Sequence, residues 1–238
     1  MATLDDYVVQ ARLKPAFIVG LPLILLAFVW PVDGDFGTKV FAGTLTTCGA
    51  TALLARLGGY LGKKRESALW DHFGGRPTEK ILSHDSGKTN PHTLARWHTK
   101  LEALSGIHMP TAEEESREPY AAEQAYESAV RFLRAHTRDT KKYPLVALTN
   151  RDFGFARNTW AMKPIGLPVS AVVAFGMGWM LFWDLRAHLP IERTVVGVLA
   201  VSSSLCLFWL WVNRQWVRQA ADRYALALLE TLDIPVDK

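Results

Sequence analysis

Seven histidines are the residues whose type first suggests chemistry. Six of them, His72, His84, His92, His98, His108 and His136, fall between positions 56 and 163. Zinc needs ligands that converge at fixed spacing, as in HxxxH, HExxH or paired CxxC turns, and the chain contains none of these. Asp71-His72 and His84-Asp85 set an acid beside a base, but sequence neighbours point to different faces of an element. Gly87-Lys88-Thr89 has the ending of a phosphate-binding loop, yet Leu82 stands where that loop requires its first glycine. No Gly-x-Ser-x-Gly elbow occurs. Cys48 and Cys206 both lie in uncharged apolar runs without ligand-like neighbours, so they read as small packing residues. The expectation is a protein that is not an enzyme, with no catalytic residue, metal site or cofactor.

Basic charge is the remaining chemical signal. Positions 56–163 hold 18 Lys+Arg against 13 Asp+Glu. Arg131, Arg134, Arg138, Lys141 and Lys142 follow the acidic start of one expected helix, and Arg134 and Arg138, four apart, share a face. Cations at a helix C-terminus are also favoured by the helix dipole. Arg96, Trp97 and Lys100 add cationic and aromatic groups able to stack on a base. Arg151 and Arg157 flank Phe153 and Phe155. Two readings stand side by side: contacts to anionic lipid headgroups, or a site for an anionic nucleotide or oligonucleotide.

The elements that carry these residues are set by four uncharged runs, Pro15–Val32, Val40–Ala55, Pro164–Trp183 and Thr194–Asn213, of 18, 16, 20 and 20 residues. A helix crossing the hydrocarbon core needs about 20 apolar residues, and none of the four has the polar stripe of a soluble core helix. The fold class expected is an all-α membrane protein with four transmembrane helices in two hairpins. A mostly helical cytoplasmic domain is inserted between the second and third. The divisions are an N-terminal amphipathic segment (1–14, with Leu4, Tyr7, Val8 and Ala11 at helical spacing), hairpin 1 (15–62), the cytoplasmic domain (63–163), hairpin 2 (164–213) and a C-terminal cytoplasmic helix (214–238). No cleavage site follows the first run, so it is read as a retained helix. Pro22 predicts a kink in it, and Asp33–Gly37 a tight turn after it.

The second run is short and must extend through Leu57–Gly62 to Lys63-Lys64-Arg65. Arg56 is thereby left near the cytoplasmic end of the span, where it snorkels to headgroups, faces a water-filled path or pairs across an oligomer interface. Ser170, Ala174 and Gly178 form a small-xxx-small row on span three that admits a close neighbouring helix. Span four should run on into Arg214–Leu232 as one long helix with Val217, Ala221, Tyr224, Leu228 and Leu232 on one face. Lys and Arg near span ends number twelve on one side and three on the other. Both termini and the inserted domain are therefore expected in the cytoplasm. Trp30, Trp160, Trp183, Trp211 and Trp216 sit near the expected interfaces.

Within 63–163 the pattern gives a helical start after Glu66, a Gly74-Gly75-Arg76-Pro77 turn and Thr78 as cap of a short helix. A second helix over Thr93–Leu104 buries Leu94, Trp97, Leu101 and Leu104. Gly106–Pro119 reads as an acidic loop. A third helix from Pro119 to His136–Thr140 turns Ala122, Tyr126, Ala129, Val130 and Leu133 inward. Leu145–Thr149 fits either strand or helix.

Two spans, a cytoplasmic domain of about a hundred residues and two more spans resemble the small four-helix membrane effectors of bacterial anti-phage systems, CBASS-like or Hailong-like, which accompany nucleotidyltransferases. The likeness is one of layout over the whole chain. Arg134–Arg138 and Asn150–Asn158 are the stretches in which a shared motif would be sought. What it implies is a homo-oligomer, with a tetramer as the guess, in the bacterial inner membrane. It would be a pore or ion channel gated by a nucleotide or oligonucleotide that a nucleotidyltransferase partner makes. The alternative is a non-conducting scaffold that docks a cytosolic protein through the acidic Glu113–Glu118 stretch. An enzyme using the Asp/His pairs ranks third.

Overall fold

The computed structural model describes residues 6–29 and 36–234, with the side chains of 28 and 36–46 excepted. Leu4, Trp30 and the turn preceding Phe36 lie outside the described residues. Every element described is helical. In order they are α1 (Asp6–Val8), a π-helical segment (Val9–Leu13), α2 (Lys14–Val29), α3 (Phe36–Lys64), α4 (Glu66–Phe73), α5 (Pro77–Leu82), α6 (Pro91–Ser105), α7 (Ala112–Arg117), α8 (Pro119–His136), α9 (Pro144–Arg186), α10 (Arg193–Trp211), α11 (Arg214–Glu230) and a closing 3₁₀ turn (Thr231–Asp233). Three helical stretches are long and apolar enough to cross a membrane: Asp6–Ala27, one within Pro144–Arg186, and Arg193–Trp211.

The chain divides into two units. One joins the chain up to Glu66 with Gly154–Trp216; the other joins Ser67–Phe153 with the chain from Val217 onward. In the first unit, α2, α3, α9 and α10 pack through two apolar clusters. Val19, Met162, Trp209 and Val212 form one, and Val173, Met177, Val195 and Val198 the other. Glycine makes the closest approaches possible. A Cβ at Gly58 would meet Met162, one at Gly62 would meet Asn158, and one at Gly166 would meet the Trp209 ring. Gly58 and Gly62 thus form a small-xxx-small notch on α3, in a stretch where the sequence pattern predicts only an extension of the span.

The N-terminal segment does not stand apart from the first span. It runs straight into α2 through the π-helical turn, and Ala11 there is fully buried. A π-turn leaves backbone groups out of the regular ladder, and the Ala11 carbonyl accepts from Asn158 Nδ2 at 2.6 Å. Nor do α10 and α11 form one helix. Val212 is extended (ψ 115°), the Asn213 side chain accepts from Trp216 N–H at 3.0 Å, and Lys163 Nζ donates to the Leu210 and Val212 carbonyls at 3.3 and 2.7 Å. A new N-cap on one side and a cation on the freed carbonyls on the other stabilise the break.

The second unit is a small helical domain whose core holds Leu82, Trp97, Leu101, Tyr126, Ala129, Leu133, Leu228, Leu229 and Leu232, all buried. All five inward positions expected on α8 are buried, as are Leu94, Trp97 and Leu101 of α6; Leu104 is 37% exposed. Pro77, not Thr78, opens α5: it occupies the first turn, where its missing N–H costs nothing. Leu145–Thr149 is helical, as the start of α9. The expected acidic loop contains α7, whose Thr111 and Glu114 form a reciprocal capping box.

Candidate functional site

The cations singled out from the sequence have three different fates. The α6 group, Arg96, Trp97 and Lys100, is gathered onto the chain's own end. Arg96 donates from Nε and Nη2 to the two Asp233 carboxylate oxygens at 2.8 and 2.9 Å. Trp97 Nε1 adds a third bond at 3.0 Å and Lys100 Nζ a fourth at 3.0 Å. These donors, Arg96 first, hold the Asp233 carboxyl well below the usual carboxylate range. Stacking of a base on Trp97 is excluded, because its ring is 4% exposed and packed in the core.

Arg157 belongs to the first unit, where its Nη1 lies 2.5 Å from Glu66 Oε2 in a part-buried ion pair. Its Nε donates to Asn158 Oδ1 at 3.3 Å. It ties α9 to the start of α4. Arg151 lies on the same helix, in the second unit. Arg56 is exposed, and no ion pair forms on it among the described residues. On the α9 row Ser170 is fully buried, Ala174 is half-buried, and a Cβ at Gly178 would stand 3.9 Å from Leu199 of α10. Ser170 is thus covered within the chain, whereas Gly178 leaves room for a side chain.

The end of α8 is different. Arg134, Arg138, Lys141 and Lys142 are all exposed, and among the described residues none is ion-paired to a carboxylate. Arg134 lies over the Tyr224 ring at 6.0 Å, Lys142 over Tyr143 at 5.8 Å. Asp139, the one acid nearby in sequence, accepts from the Lys141 and Lys142 backbone N–H groups at 2.9 and 3.3 Å, which hold its carboxyl low. Arg131, one turn earlier, is paired to Glu127 at 3.3 Å. The shared helical face expected for Arg134 and Arg138 does not form: α8 ends at His136, so Arg134 stands on its last turn while Arg138 lies with Lys141 and Lys142 in the segment that leads to Tyr143.

Periodicity did not signal a second polar place, a cavity of about 130 Å³ bordered by Gly75, Arg76, Glu79, Lys80, Glu123 and Tyr126. Gly74 and Gly75 adopt φ of 70° and 122°, and this turn lays Lys80 across them. Arg76 bridges Glu79 and Glu127 at 3.1 and 2.9 Å. Burial pushes the Glu79 carboxyl up despite that arginine. Burial also works against Glu115, but donation from Ser83 Oγ, His84 N–H and the Tyr126 hydroxyl outweighs it and lowers its pKa. Burial, aided by Glu115, pushes the Tyr126 hydroxyl up. Glu115 also lines this cavity, so three carboxylates stand against Arg76 and Lys80, a balance that does not favour an anion.

The acidic stretch proposed for docking is largely used up: Glu113 pairs with Arg117, Glu114 bonds Thr111 and His108, and Glu115 turns inward. His84 and His98 meet edge to face at 4.9 Å and bond the Pro110 and Leu82 carbonyls, a structural employment. No group of three metal-ligating side chains converges among the described residues. Compared with known protein families, curated proteins and solved structures, the chain matches none.

Proposed function

We propose that this protein is a membrane effector whose second unit senses a nucleotide-type anion at the C-terminal end of α8. In this reading α2, α3, α9 and α10 all cross the bacterial inner membrane, with both termini and the second unit in the cytoplasm. The chain assembles as a homo-oligomer, a tetramer being the simplest ring. It forms a pore that responds to a nucleotide or oligonucleotide supplied by a nucleotidyltransferase, in defence against phage. The observation that carries the reading is the cluster of exposed cations Arg134, Arg138, Lys141 and Lys142. Arg96, Lys100, Arg131 and Arg157 each have a carboxylate partner, whereas among the described residues this cluster of four has none. Uncompensated positive charge on a soluble surface favours polyanions and raises their encounter rate. Helices α9 and α11 each contribute residues to both units, a covalent route by which binding in one can bias the other.

The test is ion flux from proteoliposomes exposed to a panel of cyclic dinucleotides and short oligoadenylates. Arg134→Glu with Arg138→Glu should abolish any response while leaving insertion and folding intact. A response of wild-type size in that variant would rule out α8 as the sensor. Absence of flux under every member of the panel, with the protein properly inserted, would count against gating itself.

A further inference from the structure

Four donors within about one turn of α6 converge on a single carboxylate, and each of its oxygens takes two of them. Asp233 Oδ1 accepts from Arg96 Nε and Lys100 Nζ, and Oδ2 from Arg96 Nη2 and Trp97 Nε1. This filling of every lone-pair direction is the geometry by which a guanidinium fork recognises carboxylate and phosphate alike. The charges do not balance, however: two cations face one monovalent anion. A phosphate monoester, which carries about −1.5 to −2 at neutral pH, would balance them and offers a third oxygen.

The donor cluster is anchored independently of Asp233. Trp97 and Leu101 anchor this face of α6 in the core at 4% and 0% exposure, whereas the Arg96 and Lys100 side chains are 49% and 39% exposed and open to solvent. Leu232, one residue before the carboxylate, is itself buried in the core, and its carbonyl accepts from Lys100 Nζ at 2.8 Å. Asp233 can therefore swing away while α11 stays docked.

We infer that the Arg96–Trp97–Lys100 donor cluster is a binding site for a terminal phosphate group, and that Asp233 is an internal ligand which such a group displaces. The inference does not depend on the basic end of α8, so failure of the flux experiment leaves it standing. Its probe is sodium pyrophosphate, titrated calorimetrically at constant ionic strength into full-length protein in lipid-free detergent. Asp233→Asn keeps the side-chain shape and removes the competing charge. It should bind pyrophosphate about tenfold more tightly than the wild type, because the donor cluster is no longer self-occupied. Adding Arg96→Ala to that variant should erase the gain. Repeating the titration in nanodiscs containing phosphatidic acid identifies the source of phosphate: loss of the gain there assigns the cluster to a lipid headgroup, and retention assigns it to a soluble phosphate. The wild-type chain supplies a second readout, a rise in amide exchange over residues 231–234 at saturating pyrophosphate. Equal pyrophosphate affinity in wild type and Asp233→Asn, together with unchanged exchange, would overturn the proposal and leave the cluster as a staple.

Discussion

At the scale of single residues, what decides a charged group's role is whether it already has a partner. Arg96 and Arg134 look alike in the sequence, yet one is bound to Asp233 and the other lies open beside Tyr224. The Asp233 contacts carry a consequence for acid stability. A folded-state carboxyl held below its unfolded value of about 3.8 contributes stability that is present above that value and is lost as pH falls through the folded one. Thermal unfolding should therefore drop more between pH 5 and pH 3 in the wild type than in Asp233→Asn. Parallel drops would mean that the cluster does not form in solution. Buried hydroxyls give the opposite case. Ser202 Oγ is fully buried on α10 without a hydrogen-bond partner. Ser202→Ala removes an orphan polar group, which costs about 1–3 kcal/mol when left unmade, so the variant should be at least as heat-stable as the wild type. A clear loss of stability would point to a bond that Ser202 makes in the bilayer.

At the scale of elements, the first unit is held by glycine notches facing large side chains. Gly62 is buried against Asn158, which itself ties α9 to the π-helical turn through the Ala11 carbonyl. Gly62→Val forces these helices apart. Overpacking of this kind costs about 1–3 kcal/mol, read as a fall in detergent melting temperature. Gly197 on α10 has open space where a Cβ would stand, so Gly197→Ala should leave melting unchanged or raise it slightly. Equal effects at the two positions would contradict the packing described for α3 against α9. The element ends follow local chemistry closely: Thr111 and Glu114 start α7, and Asn213 restarts the chain after Val212. Thr111 and Glu114 stand at capping-box spacing and so are legible in the sequence, whereas Asn213 is not, because Trp216 occupies the position where the box requires Glu or Gln.

At the scale of the whole molecule, the number of membrane crossings decides the topology. Three stretches meet the length and apolarity of a span among the described residues, and α3, with 29 residues, is the fourth candidate. Its 29 residues rise roughly 43 Å at 1.5 Å each, more than the roughly 30 Å core. Reporter fusions placed after Asp33, Asp85 and His188 should report the first and third on one side and the second on the other. Asp33 and Asp85 on the same side would remove α3 from the membrane.

The sequence by itself determined the helical class, the long uncharged runs, the inward face of α8 and the turn at Gly74-Gly75, because hydrophobic periodicity and backbone preference are local properties. It also contained the cations that make α8 basic. Only the tertiary structure decided which cations are free. The bonds from Arg96, Trp97 and Lys100 to Asp233 span more than 130 positions, and those from Arg157 to Glu66 and Asn158 to Ala11 span 91 and 147. No local spacing encodes such pairings. They follow from which faces the packed helices bring together, and so does the division of one run of similar arginines into structural ties and an open, charged surface.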